Sequence, residues 1–112
     1  MKGREETMAY KIDDVFSALA DQNRRQMLLM LSQDKMTVNA ITQKFKISRP
    51  AVSKHLKVLL KTQLVVPLQR GRERHYQLNV EPLNEVREWL GFYDKFWDKK
   101  LKSLKNFVEK NQ

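Results

Sequence analysis

Between Lys35 and Tyr76 stand ten basic side chains, Lys35, Lys44, Lys46, Arg49, Lys54, Lys57, Lys61, Arg70, Arg72 and Arg74, against the single acid Glu73. The net charge of this block, +9, equals that of the whole 112-residue chain, because residues 1–34 sum to −1 and residues 77–112 to +1. Charge of one sign held in one segment is the electrostatic footprint for a polyanion, and an evenly solvated surface would not leave such a stretch nearly free of acids. The spacing sharpens this. At 100° per residue, Val52, Leu56, Leu59, Leu60 and Gln63 fall within about 100° of one another, while Pro50, Lys54, Lys57 and Lys61 gather on the far side. One face of such a helix packs and the other is free to enter a groove. Ser53 and His55 flank the basic face with side chains suited to base edges or phosphates.

Other chemistries find little support. There is no cysteine, hence no disulfide and no thiolate metal site, in keeping with a reducing compartment. No glycine-rich loop cradles a phosphate, and no His pair has metal-ligand spacing. Ser53, Lys54 and His55 occupy successive helical positions and cannot converge on one reacting atom. The expectation is therefore a protein that is not an enzyme and holds no metal or cofactor.

Several elements must position the basic face. Ile12, Val15, Phe16, Leu19 and Ala20 recur at helical spacing, and Asp21 offers a cap to a second helix through Met27, Leu28 and Leu31. Thr37 caps a third helix containing Ala40, Ile41 and Phe45. Lys46-Ile47 leads to Ser48, the cap of a fourth, with Pro50 in its first turn where a missing N–H is harmless. The period then changes at Leu64-Val65-Val66-Pro67-Leu68, followed by a turn at Arg70-Gly71-Arg72 and by His75-Tyr76-Gln77-Leu78. These residues predict a two-stranded hairpin, with Pro67 marking an edge strand. From Pro82 to about Lys110 the helical pattern returns as one long helix.

The order α-α-α-α-β-β-α, mainly α with a small β-hairpin, is that of a winged helix-turn-helix. A chain of 112 residues with 41% hydrophobic residues has material for one core, so residues 1–112 are expected to form a single domain. Residues 12–80 would be its DNA-binding core and 81–110 a C-terminal dimerisation helix. No apolar run approaches the roughly 18 residues needed to span a bilayer, and the opening MKGREETMAY has no apolar segment behind its basic residues. No membrane association and a cytoplasmic location are expected.

The segment Ile47-Ser48-Arg49-Pro50-Ala51-Val52-Ser53-Lys54-His55-Leu56-Lys57-Val58-Leu59 resembles the recognition helix of ArsR-type (ArsR/SmtB-like) bacterial repressors. The likeness extends to Phe16 through Arg25, similar to that family's opening helix and Arg-Arg pair, and to Arg70-Gly71-Arg72 with Tyr76 and Leu78, similar to its wing. It covers roughly residues 12–80. Gln22 departs from the family's usual proline. Gln63 departs from its frequent glycine, which implies a non-glycine residue in a left-handed cap at about 1 kcal/mol.

The resemblance implies a repressor that binds a palindromic operator in double-stranded DNA as a homodimer. Recognition helices would enter adjacent major grooves and wings would reach the flanking backbone. Carried over residue by residue, it points to Ser48, Arg49, Ser53, Lys54, His55 and Lys57 on the helix, with Thr37 before it and Arg70, Arg72 and Arg74 on the wing. Arg49, near the helix start, suits a bidentate contact to guanine, whereas Lys54 and Lys57 suit phosphates. Lys61 fits a phosphate contact or plain solvation equally. Many family members release DNA when a metal binds to paired thiolates near the third helix or to His/Asp/Glu sets on the last. With no cysteine, and only carboxylates on the last helix, this chain is expected to be metal-independent and autorepressor-like, or relieved by a small-molecule or protein inducer.

The last helix carries Trp89, Phe92, Tyr93, Phe96, Trp97 and Phe107 on an apolar arc about 180° wide, too wide for one packing partner. Either the helix touches its own domain on one side and a twofold partner on the other, or it lines a pocket for an apolar inducer. The first reading places Ile12, Phe16, Leu90, Tyr93, Trp97, Leu101 and Leu104 at a dimer interface. The runner-up for the whole chain is a winged-helix protein-interaction module without specific DNA binding. Such a module should have lost the basic side chains this helix keeps.

Overall fold

A computed structural model describes residues 11–111; the opening segment MKGREETMAY lies outside the described residues. Helix α1 (Ile12–Leu19) and helix α2 (Gln22–Gln33) come first, then a two-residue strand β1 (Met36–Thr37), helix α3 (Val38–Thr42) and helix α4 (Arg49–Lys61). Strands β2 (Val65–Arg70) and β3 (Glu73–Leu78) form the hairpin, and helices α5 (Leu83–Gly91) and α6 (Asp94–Lys110) close the chain.

Three helix starts are fixed by the side chains the sequence singled out. Asp21 accepts the Arg24 N–H at 3.1 Å, Thr37 the Ala40 N–H at 3.1 Å and Ser48 the Ala51 N–H at 3.2 Å. Each satisfies a donor that the first helical turn leaves without a partner.

The end of α4 is fixed as firmly. Gln63 has φ 62, its N–H donates to Leu60 O at 3.0 Å, and the Leu64 N–H donates to Leu59 O at 3.0 Å. This pair of bonds is the Schellman closure, and it turns Leu64 inward onto the buried Leu59. The left-handed cap inferred for Gln63 is present.

Three features differ from the sequence reading. The sheet has three strands in the order β1-β3-β2, because Met36 and Thr37 pair with Tyr76 and His75; two residues are too few to show a period. Helix α3 ends at Thr42, and Phe45 lies beyond it in a tighter turn whose Lys44 and Phe45 N–H groups reach only three residues back. The last helix is two helices. Gly91 ends α5, the Phe92 and Tyr93 N–H groups also bond three residues back, and Asp94 restarts the helix with a carboxylate at its positive end. The apolar spacing runs on across this break, which is why spacing alone did not locate it.

The core joins α1 to α4 and the sheet through Val15, Met27, Leu28, Leu31, Ile41, Val52, Leu56, Leu59, Leu64, Val65 and Tyr76. Leu83 and Val86 attach α5 to it. Strand β2 lies at the sheet edge, where Pro67 removes no needed donor. The β2–β3 turn has Gly71 at its first central position with φ 60, a conformation that hairpin turns of this length reserve for glycine. Among the described residues, no helix is long and apolar enough to cross a membrane.

Because Gln63 is an exposed non-glycine residue held at positive φ, Gln63→Gly should raise stability by about 0.5–1 kcal/mol. Urea unfolding checks this through a higher midpoint at unchanged slope. An unchanged or lower midpoint would show that the cap carries no strain.

Candidate nucleic-acid interface

Helix α4 is anchored by burying Val52, Leu56 and Leu59, and this stripe decides what the other side presents. Arg49, Pro50, Ser53, Lys54, Lys57 and Lys61 are all exposed. No acidic residue lies on α4, so the exposed face is cationic from end to end. Its last turn places Lys61 against the negative end of the helix dipole, which tolerates that charge well.

Arg49 occupies the first turn of α4, and its Nε donates to Asn39 Oδ1 at 2.9 Å. One edge of the guanidinium is thus held by α3, while the terminal nitrogens keep donors for an outside acceptor. Asn39 was not singled out in the sequence. It stands ten residues before Arg49 with no periodic relation to it, so only the packing of α3 against α4 makes the pairing visible.

Arg49 also lines a polar cleft of about 320 Å³ together with Thr37, Asn39, Glu73, Arg74 and Tyr76. The structure therefore brings Thr37, Arg49 and Arg74 to one place, where the start of α4 faces the wing. Arg74 stands over the Tyr76 ring, 5.5 Å from its centroid, which steadies the guanidinium without neutralising it. Arg70 and Arg72 sit exposed on either side of Gly71 at the wing tip. Glu73, the one acid of the basic block, lies 3.3 Å from His75 Nε2. The hydroxyls of Thr37 and Ser48 are engaged as helix caps, whereas Ser53 is exposed on the open face.

His55 is placed differently from the sequence expectation. Its Nδ1 lies 3.3 Å from Arg24 Nη1 and 3.8 Å from Asp21 Oδ1, and its side chain is 19% exposed. Although it flanks the basic face in sequence, its ring is turned toward the start of α2. Arg24 completes a clamp there by donating through Nε to Ala18 O at 2.8 Å and through Nη2 to Ser17 O at 3.1 Å. Arg25 adds a bond from Nη1 to Leu19 O at 2.8 Å. The Arg-Arg pair thus bonds the last carbonyls of α1, Ala18 O and Leu19 O alongside Ser17 O, which also accepts the Ala20 N–H at 3.2 Å. The hydrogen bond from the Arg24 N–H holds the Asp21 carboxyl below its ordinary value of 3.8, against a smaller opposing effect of burial and with help from His55 and the Arg24 charge.

The residues assigned to a dimer interface fall into two sets. Ile12 and Phe16 are half-buried on α1, and Phe16 meets Trp89 edge-on at 5.3 Å. Leu90, Tyr93, Trp97, Leu101 and Leu104 are exposed, and α6 buries no residue along its 17-residue length. Among the described residues no group of three His, Cys, Asp or Glu side chains is placed to hold a metal ion.

Asp21 is ionised more readily in the folded chain than in the unfolded one. Its contribution is therefore complete above about pH 4 and is lost as pH falls through the depressed folded value. Asp21→Ala should cost about 1 kcal/mol at pH 7. The gap from the parent should narrow below about pH 4, as read by thermal unfolding across pH. A gap that stays constant down to pH 2.5 would contradict this.

The comparisons with known proteins agree with this geometry. Residues 21–66, which span α2 to the start of β2, match the family model described as bacterial regulatory protein, arsR family. The chain is 33% identical over 79 residues to the transcriptional repressor SdpR of Bacillus subtilis, covering 70% of this chain and 88% of that one. It is 35% identical over 97 residues to the HTH-type transcriptional regulator Rv2034 of Mycobacterium tuberculosis, covering 87% and 88%. Among solved structures, an ArsR-like transcriptional regulator from Rhodococcus sp. RHA1 superposes with a TM-score of 0.67 at 29% identity, covering 86% of this chain and 91% of that chain. A basic helix held by its buried side, a basic wing beside it and relatives named as regulators over nearly their full length lead to one conclusion: the chain belongs to the arsR family of bacterial regulatory proteins.

Proposed function

We propose that this chain is a transcriptional repressor that binds a palindromic operator as a homodimer in the cytoplasm, without catalysis and without a metal. The observation that carries this reading is the acid-free outer face of α4, with Arg49 held at its start by Asn39. Arg49 reads guanine, Lys54 and Lys57 contact phosphates, and Arg70, Arg72 and Arg74 reach the flanking backbone. Ser48, Ser53 and Thr37 are assigned assisting contacts in the same groove. His55 acts indirectly, by fixing α4 against α1 and α2 through Arg24 and Asp21. Residues 12–80 form the DNA-binding part and 81–110 the dimerisation part.

The second copy is called for by both packing and geometry. Trp97, Leu101, Leu104 and Phe107 are each at least 58% exposed, an apolar surface that no other described residue covers. One recognition helix reads few bases, whereas two related by a twofold axis read half-sites about 34–36 Å apart. Selection of binding sites from a random duplex pool tests this directly and should return an inverted repeat with that spacing. Recovery of no preferred sequence would overturn the reading. Micromolar zinc, cadmium or arsenite added to gel shifts on the selected duplex should leave the complex intact, and release by any of them would end the metal-independent part.

Two sets of variants separate the assigned roles. Lys57→Ala should weaken all duplexes alike and reduce the slope of log K against log salt by about 0.9, while Arg49→Ala should cost about 1–3 kcal/mol at one base position per half-site. Asn39→Ala should act on the same base position as Arg49→Ala, more weakly, because it frees the guanidinium without removing it. Uniform effects of all three on specific and random DNA would refute the division.

Tyr93, Trp97 and Leu101 changed together to polar residues should give monomers with an intact winged fold and little operator affinity. Light scattering and gel shifts read both halves, and a dimer surviving those changes would place the interface elsewhere.

A further inference from the structure

A second cavity, of about 500 Å³, shares Thr37 with the cleft that holds Arg49. Its wall is built from Met30 of α2, Met36 and Thr37 of β1, Ala40 of α3, Lys44 just beyond α3 and His75 of β3. We propose that this cavity binds a small organic anion with an apolar body, and that its occupancy changes the affinity for duplex DNA. The effect on DNA rests on the DNA-binding reading above; occupancy itself does not.

The size falls within the roughly 300–1,000 Å³ typical of small-molecule pockets. The chemistry of the wall selects the class. Met30 and Met36 are unbranched and polarizable, and half-buried here, so they adapt to the shape of an apolar guest. The rim carries two lysines against one aspartate, so its net charge is positive, and Asp34 Oδ1 lies 3.9 Å from Lys35 Nζ rather than beside Lys44. Lys44 is exposed and makes no ion pair among the described residues, which leaves one uncommitted ammonium for one carboxylate or sulfonate. A cationic guest would meet an excess of like charge.

The position supplies the coupling. Thr37 caps α3 through the Ala40 N–H, pairs with His75 in the β1–β3 ladder and lines both cavities. That ladder, two residue pairs long, joins the wing directly to the start of α3. His75 forms part of the wall and stands opposite both Thr37 and Leu68, while its Nδ1 is buried without a hydrogen-bond partner. A guest that turns this ring gives Nδ1 a partner and moves the strand that carries Arg74. By thermodynamic reciprocity, DNA must then change the affinity for the guest by the same factor.

The test uses the full chain with its methionine methyl groups labelled with carbon-13, read by NMR, and 2-naphthoate as probe with 2-naphthylmethanol as its uncharged counterpart. Met30 and Met36 report on the cavity, and Met27, wholly buried in the core, reports on the fold. Naphthoate should shift the Met30 and Met36 signals in a saturable way and leave Met27 in place. Lys44→Gln, at an exposed position, should weaken naphthoate by about fivefold and leave naphthylmethanol unchanged. Saturating duplex DNA should change the naphthoate affinity by about fivefold or more. No shift at Met30 and Met36, including the case in which naphthoate only alters tryptophan fluorescence on the exposed helices, would overturn the site. Equal behaviour of the two probes would overturn the anionic class, and an unchanged naphthoate affinity beside DNA that demonstrably binds would overturn the coupling. Failure of the duplex to bind in the absence of any probe would instead strike the DNA-binding reading and leave the cavity result standing.

Discussion

Burial of Val52, Leu56 and Leu59 is the interaction on which the rest depends. An α-helix has a fixed 3.6-residue period, so seating those three side chains in the core leaves no freedom in what the opposite side presents. Arg49, Lys54 and Lys57 face outward because the apolar stripe faces inward, and an offset of one residue toward the C-terminus would put Ser53 and Lys57 in the places of Val52 and Leu56. The two ends of α4 guard against that slip. Ser48 caps the start, and the left-handed turn at Gln63 stops the helix while driving Leu64 into the same core.

The concentration of charge has a cost that the structure manages locally. Cations crowded on one face repel each other, and neutralising them with acids would destroy the potential that attracts a polyanion. The devices that steady these side chains leave their charge intact. Asn39 holds Arg49 with a neutral oxygen and Tyr76 supports Arg74 with a ring face, while Glu73, the one acid in the cleft they share, pairs with His75 rather than with either arginine. The cations that are paired tightly, Arg24 and Arg25, serve carbonyls of α1.

Legibility in the sequence followed how local each determinant was. The caps at Asp21, Thr37 and Ser48 and the glycine turn at Gly71 each depend on residues a few positions apart, and each was readable, whereas the positive φ at Gln63 was legible only through the family resemblance, where glycine often stands. Strand β1 was not, because Met36 and Thr37 become a strand only by lying next to Tyr76 and His75, about forty residues later. The break after Gly91 was masked by apolar spacing that continues through it. Asn39 and His55 take their roles from contacts across 10 and 31 positions, which no periodicity encodes.

Those long-range contacts form one mechanical chain. Tyr93, at the junction of α5 and α6, packs edge-on against Trp89 at 5.3 Å, and Trp89 packs edge-on against Phe16 at 5.3 Å. Phe16 belongs to α1, whose Ser17 and Ala18 carbonyls are held by Arg24, and Arg24 reaches His55 on α4. No side-chain cap fixes the junction between α5 and α6, so the aromatic contacts set the direction in which α6 leaves the body. In the proposed dimer, that direction and the rigidity of the chain behind it determine the distance between the two copies of α4. A change at Phe16 or Trp89, neither of which lies on α4 or the wing, would therefore act on operator spacing before it acted on the stability of either winged domain.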